Sequence, residues 1–437
     1  MPQTPPNALT ATEAAAAIRE GRLSSTDLVE ACLARIDERE PALRAWAHLD
    51  PELGREQARQ RDADTPAGPL HGVPIAVKDV IDTADQPTQM GSPIYAGYRP
   101  AADASIVSLL RGAGAVILGK TATAEFAGTA PAATTNPHDP TRTPGGSSSG
   151  SAAAVADLMV PVALGTQTGG SVQRPASFCG VFGYKPSYGR INRAGLKFAA
   201  ESLDTLGWMA RSLDDLALLD AVLSGEAPAP LEPLENPRIG ICRTYLWERA
   251  EPSTRQALHD AADALRQAGL QVTERELPAD FAGLSPVREV LNDYERARAM
   301  AYEWSHHRAR ISPQLSRSIE RGFAMRHADY LQAQRFAHDT RVAFDAWLDD
   351  CDVLVAPCVN GEAPKGLDHT GDTTFQSLWT LLHAPTVGLP THRGPHGLPV
   401  SIQLVARRGD DARLLRAALA AWRILSPQNQ PGCRSAA

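Results

Sequence analysis

The sequence predicts an α/β protein in which helices cover a sheet. Runs rich in β-branched and apolar residues, such as 73–77 and 115–118, indicate strands. Segments with a capping residue and helical apolar spacing, such as 103–112 and 152–159, indicate helices. Strand and helix alternate again after residue 160, which favours a sheet with helical crossovers over an all-α or all-β chain.

Composition limits the classes of function. The chain has 437 residues, 43% hydrophobic and 21% charged, which is typical of a globular protein with a sizeable core. A formal net charge of −7 gives no electrostatic reason for a nucleic-acid partner, and we expect none. No window of about 18 apolar residues exists, so we expect no membrane span.

Cysteine usage and the first residues bear on location. The first ten residues lack a charged and then apolar signal pattern, so no secretory signal is expected. The six cysteines are spread along the chain without paired spacing. In a chain of this size, that favours reduced thiols in a cytoplasmic protein over a disulfide framework.

Capping signals mark the starts of helices. Thr10 and Glu13 form a capping box, which predicts a short Ala-rich helix ending near Gly21. Ser24 caps a second helix, whose expected apolar face consists of Leu28, Val29, Cys32, Leu33 and Ile36. Caps of later helices are expected at Asp103, Ser212 and Ser253.

The later part of the chain predicts further helices and strands. Residues 286–350 are polar and Arg-rich, and indicate a pair of long surface helices. A Pro-rich linker occupies 227–237, and a final amphipathic helix is expected from about Asp411 to Leu425. We interpret residues 1–437 as a single domain. Its expected parts are N-terminal helices at about 8–65, a core at about 66–225 and a C-terminal part at about 238–425.

Residues 145–175 have the clearest sign of chemistry. Gly145–Ser151 are seven consecutive Gly or Ser residues, and the stretch closes on Gly169, Gly170 and Ser171. A flexible linker has a similar composition but does not alternate with apolar, strand-like segments. Glycines allow close approach to a bound group, and serine hydroxyls serve as nucleophiles or donors. The stretch therefore predicts an active site.

A base is needed to activate such a serine. No Gly-x-Ser-x-Gly elbow supports a Ser-His-Asp triad. Lys78 lies at the end of the apolar run 72–79, where desolvation lowers a lysine pKa enough to make it a base. Ser147 and Ser171 are the two candidate serines, of which one would be the nucleophile and the other would relay its proton to Lys78. The expected oxyanion hole consists of the backbone N–H groups of Thr168, Gly169, Gly170 and Ser171.

Three segments resemble the amidase signature family: GVPIAVKD at 72–79, PGGSSSGSAAAVA at 144–156 and GTQTGGSVQRPASFCGVFGYKPSYG at 165–189. SLDTLG at 202–207 and GLPVSIQLVA at 397–406 fit as well, so the resemblance covers about residues 8 to 425.

The resemblance implies a Ser-cisSer-Lys triad. Ser171 would be the acylated nucleophile, Lys78 the base, and Ser147 the bridging serine after a cis peptide bond. It also implies an α/β/α sandwich around a large mixed β-sheet, and amide hydrolysis without a metal or cofactor. Family members are often dimers, so the expected partners are a small-molecule amide substrate and a second copy of the chain.

The sequence departs from the commonest family form beside Ser171. That form has Asp where this chain has Gln167, and Arg at the position of Gln173. Here the arginine is Arg174, which is similar to malonamidase-type members that act on small carboxylate-bearing amides. Arg174 is thus either a bidentate carboxylate contact or a structural residue paired with an acid. Ser148 is a further expected substrate contact.

The leading hypothesis is an amidase that hydrolyses a small amide to the acid and ammonia through a Ser acyl-enzyme, and whether that amide carries a carboxylate depends on the role of Arg174. Two alternatives stay open: the amidase subunit of a glutamine-dependent tRNA amidotransferase, and a non-catalytic scaffold. The shifted Arg174 argues against the first, and the presence of all three triad residues argues against the second. A zinc site at His306 and His307 is not expected, because no further ligand lies at zinc spacing. Cys351 and Cys358 flank a predicted core strand, so neither is expected to be a nucleophile on a turn.

Overall fold

The computed structural model describes residues 4–66 and 68–426. The helices are α1 (Ala11–Arg19), α2 (Ser25–Leu43), α3 (Pro51–Ala63), α4 (Ser105–Gly112), α5 (Ser149–Ala156), α6 (Gln173–Cys179), α7 (Leu213–Ser224), α8 (Pro252–Gln267), α9 (Leu284–Ala299), α10 (Ala301–His307), α11 (Pro313–Ala324), α12 (His327–Trp347), α13 (Thr374–Leu381) and α14 (Asp411–Leu425). The strands are β1 (Trp46–Leu49), β2 (Pro74–Lys78), β3 (Val116–Thr121), β4 (Val162–Gln167), β5 (Phe182–Lys185), β6 (Thr205–Ala210), β7 (Ile239–Ile241), β8 (Val272–Glu274), β9 (Val353–Pro357), β10 (Thr386–Arg393) and β11 (Pro399–Val405).

These strands form one 11-stranded sheet in the order β1-β3-β2-β4-β6-β5-β10-β11-β9-β7-β8. The sheet is mixed: β2 runs parallel to both β3 and β4, whereas β4 and β6 are antiparallel. Helices flank it, with α5 packed on β4 and α8 on β11. The prediction of an α/β fold around a large mixed sheet is therefore confirmed.

The N-terminal helices follow their capping signals. The Thr10 hydroxyl accepts the Glu13 N–H and the Glu13 carboxylate accepts the Thr10 N–H, so the predicted capping box is present. Ser24 caps α2, and the predicted apolar face of that helix is buried.

Two predicted caps are wrong. Asp103 does not cap α4, because its carboxylate accepts the Ala84 N–H and the Arg111 Nε–H and so ties neighbouring segments together. Ser253 lies inside α8, because Pro252 takes the first helical position, for which its fixed φ suits it.

The polar segment 286–350 differs from the expected pair of helices. It folds mainly into α9, α10, α11 and α12, because Ser312 with Pro313 starts a new helix inside the segment. α9 packs against α11, α12 and α13, so one face of α9 is covered by other helices.

Of the six cysteines, the five in the described ranges are buried and unpaired, while Cys433 lies outside those ranges.

The sheet brings two sequence-distant segments to one edge. β2 and β4 are parallel neighbours, with Ile75 opposite Val162 and Val77 opposite Leu164. Their carboxyl ends therefore lie together, which is where ligands bind in sheets of this kind. Lys78 is the last residue of β2, and the loop containing Ser171 directly follows β4.

Within residues 4–66 and 68–426, no helix has the length and apolarity to span a bilayer.

Candidate active site

Lys78 contacts a serine hydroxyl inside the protein. Its side chain is fully buried, and Nζ lies 2.8 Å from Ser147 Oγ and 2.7 Å from Thr166 Oγ1. Burial lowers the pKa of Lys78 to about 7, helped by the positive charge of Arg174 and opposed by Asp204. A substantial fraction of Lys78 is therefore neutral near pH 7, and a neutral amine in this place can accept the Ser147 proton.

A depressed pKa does not by itself distinguish Lys78. Burial also lowers the pKa of Lys185 to about 7 and that of Lys120 to about 8. The Lys185 amine donates to the Ala384 carbonyl at 2.5 Å, and the Lys120 amine to the Ile81 carbonyl at 2.8 Å. Only Lys78 of these three touches a serine next to the Gly/Ser loops, and this contact makes it the candidate base.

The two Gly/Ser loops meet beside Lys78. The peptide bond between Gly146 and Ser147 is cis, as the family resemblance implies. The Ser147 carbonyl accepts the Ala124 N–H at 3.1 Å, and the Ser148 N–H donates to the Ser171 carbonyl at 3.3 Å. No hydrogen bond joins the Ser147 and Ser171 hydroxyls in this structure. Catalytic hydrogen bonds commonly tighten only when substrate is bound.

The loop after β4 presents free backbone donors. Among the described residues, no acceptor is found for the backbone N–H groups of the predicted oxyanion hole, Thr168, Gly169, Gly170 and Ser171. Their carbonyls, by contrast, are held: Gly169 O accepts the Thr380 hydroxyl at 2.7 Å and Gly170 O accepts the Arg174 N–H at 2.9 Å. A side chain at Gly170 would place Cβ 2.4 Å from Gln376 Oε1, so glycine is required there. The arrangement can stabilise an oxyanion.

The two glutamines that depart from the common family form have structural contacts. Gln167 Oε1 accepts the N–H groups of Val172 and Gln173 at 2.9 and 3.0 Å, and so fixes the turn that carries Ser171. Gln173 Nε2 donates to the Gly183 and Thr386 carbonyls at 3.1 and 2.9 Å. Gln173 therefore points into the sheet, which leaves Arg174 as the arginine beside Ser147.

Arg174 is partly engaged and partly free. Nη2 donates to the Gly146 carbonyl of the cis peptide, and to Thr370 Oγ1 at 3.1 Å. Nε and Nη1 are buried and have no partner among the described residues. Burial lowers the pKa of Arg174 to about 10, against the opposing effect of Asp372. In the described part of the chain no acid forms an ion pair with this guanidinium, so the expected structural pairing of Arg174 with an acid is not observed.

Asp204 connects the oxyanion loop to a neighbouring segment. Its carboxylate accepts the Thr168 hydroxyl and the N–H groups of Ala199 and Ala200, the latter two at 2.6 and 3.0 Å. It also provides the negative charge that opposes the depression of the Lys78 pKa. Asp204 thus positions the loop and tunes the candidate base.

A cavity of about 410 Å³ opens in front of Ser171. Ser171 and Arg174 line this cavity, as do Arg288 and Arg296 of α9. Sequence reasoning missed both α9 arginines, because an Arg-rich polar helix is ordinarily a solvated surface. Ser148 does not line the cavity: it is fully buried and its hydroxyl bonds the Thr166 backbone at 3.3 Å.

Other nucleophile and metal hypotheses find little support. Burial raises the pKa values of Cys351 and Cys358, which makes both thiols poor nucleophiles. His306 contacts the Tyr302 carbonyl at 3.0 Å on α10. Across the described part of the chain, no group of three or more His, Cys, Asp or Glu side chains is arranged to hold a metal ion.

Comparison with known proteins identifies the family. A family profile described as Amidase matches residues 27–415. The chain belongs to this family. It is also 37% identical to a glutamyl-tRNA(Gln) amidotransferase subunit of Chloroflexus aurantiacus, over 93% of this chain and 95% of that protein. This Amidase family member is an amide-acting enzyme.

Solved structures agree on the fold. A crystal structure of an amidase superposes with a TM-score of 0.87 at 32% identity, covering 95% of this chain and 99% of that one. A structure that reports a vestigial protein complex and the evolutionary origins of an s-triazine catabolic enzyme superposes with a TM-score of 0.87 at 29% identity. It covers 95% of this chain and 98% of that one.

One expectation about partners is wrong. We expected a small-molecule substrate and a second copy of the chain, with no nucleic acid. The curated relatives are instead subunits of an enzyme that is named for tRNA. That expectation rested on the net charge of −7, and the net charge of a chain does not report which proteins it assembles with. Of the two enzymatic hypotheses, these relatives support the amidotransferase subunit more directly than the small-amide hydrolase.

Proposed function

We propose that this amidase cleaves a small, carboxylate-bearing primary amide through an acyl-enzyme on Ser171 and releases ammonia. The observation that carries the proposal is the contact between the buried Lys78 amine and Ser147 Oγ, next to the loop of Ser171. The carboxylate preference is supported by Arg174, whose Nε and Nη1 are buried at the cavity without partners among the described residues.

The reaction follows from these groups. Neutral Lys78 accepts a proton from Ser147, which accepts the Ser171 proton as Ser171 Oγ attacks the amide carbon. The N–H groups of residues 168–171 stabilise the oxyanion. Collapse of the tetrahedral intermediate breaks the C–N bond, and the relay returns a proton to the departing ammonia. Water then attacks the ester by the same relay and releases the acid and Ser171.

Replacement of the nucleophile tests this proposal. Ser171→Ala should reduce ammonia release by at least about a thousandfold, since it removes the hydroxyl that forms the acyl-enzyme. A fluorophosphonate should label the wild-type chain at Ser171, as read by peptide mass spectrometry. Ser177→Ala, which removes a buried hydroxyl from α6 away from the cavity, is the control for folding. Substantial activity in Ser171→Ala would contradict the proposal.

The second candidate function is the amidase subunit of a glutamine-dependent tRNA amidotransferase. It is favoured by 37% identity to such an amidotransferase subunit over 93% of the chain. The two functions share the acylation step, because glutamine is itself a carboxylate-bearing amide. They differ in the ammonium group of glutamine, which needs an acceptor in the cavity, and in the need for partner subunits.

A substrate panel separates the two functions. Ammonia release from glutamine is compared with release from succinamate, which has a carboxylate but no ammonium group. Turnover of succinamate above that of glutamine by the isolated chain supports the hydrolase. Glutamine turnover that appears only with the other amidotransferase subunits and glutamyl-tRNA supports the amidotransferase function.

A further inference from the structure

Arg288 is an unusual arginine for a globular protein. Within the described ranges, its guanidinium has no hydrogen bond and no ion pair, although it lies on α9 at the wall of the cavity. Its Nε is buried without a partner there. The residue as a whole is half-buried, and a charge that is partly removed from water without an ion pair is costly. In the described part of the chain no acid forms an ion pair with Arg288, although Glu289, Asp293 and Asp372 attract its charge from a longer distance.

The guanidinium of Arg288 lies next to the oxyanion loop. A Cβ built on Gly169 would come 2.8 Å from Arg288 Nη2, so the side chain occupies the space beside that glycine. Gly169 is two residues from Ser171 in a loop that lines the same cavity. A substrate acylating Ser171 would place its adjoining atoms within reach of Arg288.

Arg288 is one of three arginines that repel each other around the cavity. Burial lowers the pKa values of Arg174 and Arg296, and the positive charge of Arg288 adds to this depression at both. Arg296 is buried, and its Nη1 has no partner among the described residues. A bound anion would relieve this repulsion and satisfy the free N–H groups.

The nearby acids do not neutralise Arg288. Asp293 accepts Arg321 Nε at 2.7 Å and Ser318 Oγ at 2.5 Å. Asp372 accepts Arg249 Nη2 at 2.6 Å. Glu289 is exposed and forms no ion pair with Arg288. The cavity thus retains an excess of positive charge beside Ser171.

We propose that Arg288 of α9 binds the substrate carboxylate beside Gly169 and is the main determinant of selectivity for anionic amides. The proposal rests on the proposed function, which supplies the anionic amide and the acylated Ser171. Arg288 is the better-suited of the two contacts, because Arg174 already uses Nη2 on the Gly146 carbonyl and Thr370. A guanidinium offers a planar, bidentate surface to a carboxylate.

Steady-state kinetics on a matched pair of substrates test this role. Arg288→Ala should raise KM for succinamate about tenfold or more and leave butyramide, its near-isosteric neutral counterpart, nearly unchanged. Arg288→Lys should give an intermediate KM, because the charge remains and the bidentate geometry is lost. The matched control Arg317→Ala removes an exposed arginine of α11 that does not line the cavity, and it should alter neither substrate. Equal effects on both substrates, or no effect, would overturn the proposal.

A binding measurement separates this inference from the proposed chemistry. Succinate, used as a non-reactive dicarboxylate probe, is titrated by calorimetry into the wild-type, Arg288→Ala and Arg317→Ala chains. Selective loss of succinate affinity in Arg288→Ala supports the anion site even if Ser171 proves not to be the nucleophile. Unchanged affinity in Arg288→Ala overturns the anion site even if Ser171 is labelled. Arg288→Ala should not lower the melting temperature, because Arg288 holds no described neighbour in place and its removal relieves repulsion of Arg174 and Arg296.

Discussion

At the scale of residues, the surroundings of each amine decide what it can do. Lys78, Lys120 and Lys185 are all buried, and burial depresses the pKa of each. Sequence reasoning singled out Lys78 because it ends an apolar strand beside a recognisable motif. It did not reveal that two other lysines share the same desolvation, because burial is a property of the folded chain.

The acid limb of the pH–rate profile should report Lys78. Its pKa of about 7 means that kcat/KM rises as the pH increases through 7, because the proton acceptor becomes neutral. Initial rates of ammonia release between pH 5.5 and about 9 measure this limb. In Lys78→Ala, activity should fall by at least about a hundredfold and recover partly at high pH. An unchanged limb near pH 7 in Lys78→Ala would assign it to another group.

Arg174 and Arg288 mark the limit of residue-level prediction. Arg174 was recognisable because it stands three residues after Ser171 in a specific motif. Arg288 is one of many arginines in a polar helical segment, and nothing in its local sequence distinguishes it from Arg317 or Arg335. Its approach to Gly169 depends on how α9 packs, which is a tertiary property.

At the scale of elements, α13 holds the oxyanion loop in place. Thr380 on this helix donates to the Gly169 carbonyl at 2.7 Å and accepts Gln167 Nε2 at 3.0 Å. Gln376, one turn earlier, packs against Gly170. The helix therefore acts as a rigid support for the turn that carries Ser171. No local pattern indicated this support, because α13 lies about two hundred residues further along the chain.

Removing the Thr380 hydroxyl should loosen this support. Thr380→Val keeps the shape of the side chain but breaks both hydrogen bonds, so kcat should fall about ten- to a hundredfold with little change in KM. Thr380→Ser retains the hydroxyl and should retain most activity. Ser377→Ala, on the same helix and without a side-chain hydrogen bond to the loop, is the control. An increase in KM with kcat preserved would contradict a role in loop placement.

Helix boundaries show which local signals are decisive. Thr10, Ser24 and Ser212 were predicted as caps and are caps, because each hydroxyl accepts the N–H three residues later. Asp103 carries an equally good capping side chain, but its carboxylate is used by Ala84 and Arg111. Local propensity located these helices, and the cap at Asp103 failed because other contacts use the same carboxylate atoms.

At the scale of the whole molecule, the mixed sheet was predictable in kind but its strand order was not. Alternating strands and helices indicated α/β, and the amidase resemblance implied the large sheet. The pairing of β5 with β10, or of β9 with β11, joins segments far apart in sequence. Such pairings depend on the complete core, and no short pattern encodes them.

Global stability should increase with pH between about 7 and 8.5. In the folded chain the pKa values of Lys78, Lys120 and Lys185 are depressed to about 7 or 8, from an ordinary value of 10.5. The unfolded chain therefore binds more protons in this interval, and the free energy of unfolding rises as the pH rises. Above it, ionisation of unfolded thiols opposes the trend, because burial raises the pKa values of Cys32 and Cys242 to about 12.

Urea denaturation at the two ends of this interval measures the effect. Lys185→Met, which removes one of the three amines, should show a smaller increase in the free energy of unfolding than the wild type. A wild-type stability that is flat or decreases over the interval would contradict the depressed lysine pKa values.

The origin of the site's parts along the chain has a consequence for evolution. Lys78, Ser147 and Ser171 come from the strand ends and loops of the first half, whereas Arg288 and Arg296 come from α9. Descendants of a duplicated gene can therefore acquire new substrates through substitutions in α9 and its neighbours while bond cleavage is inherited intact. A mutant library restricted to α9 should accordingly yield altered amide preference with bond cleavage retained.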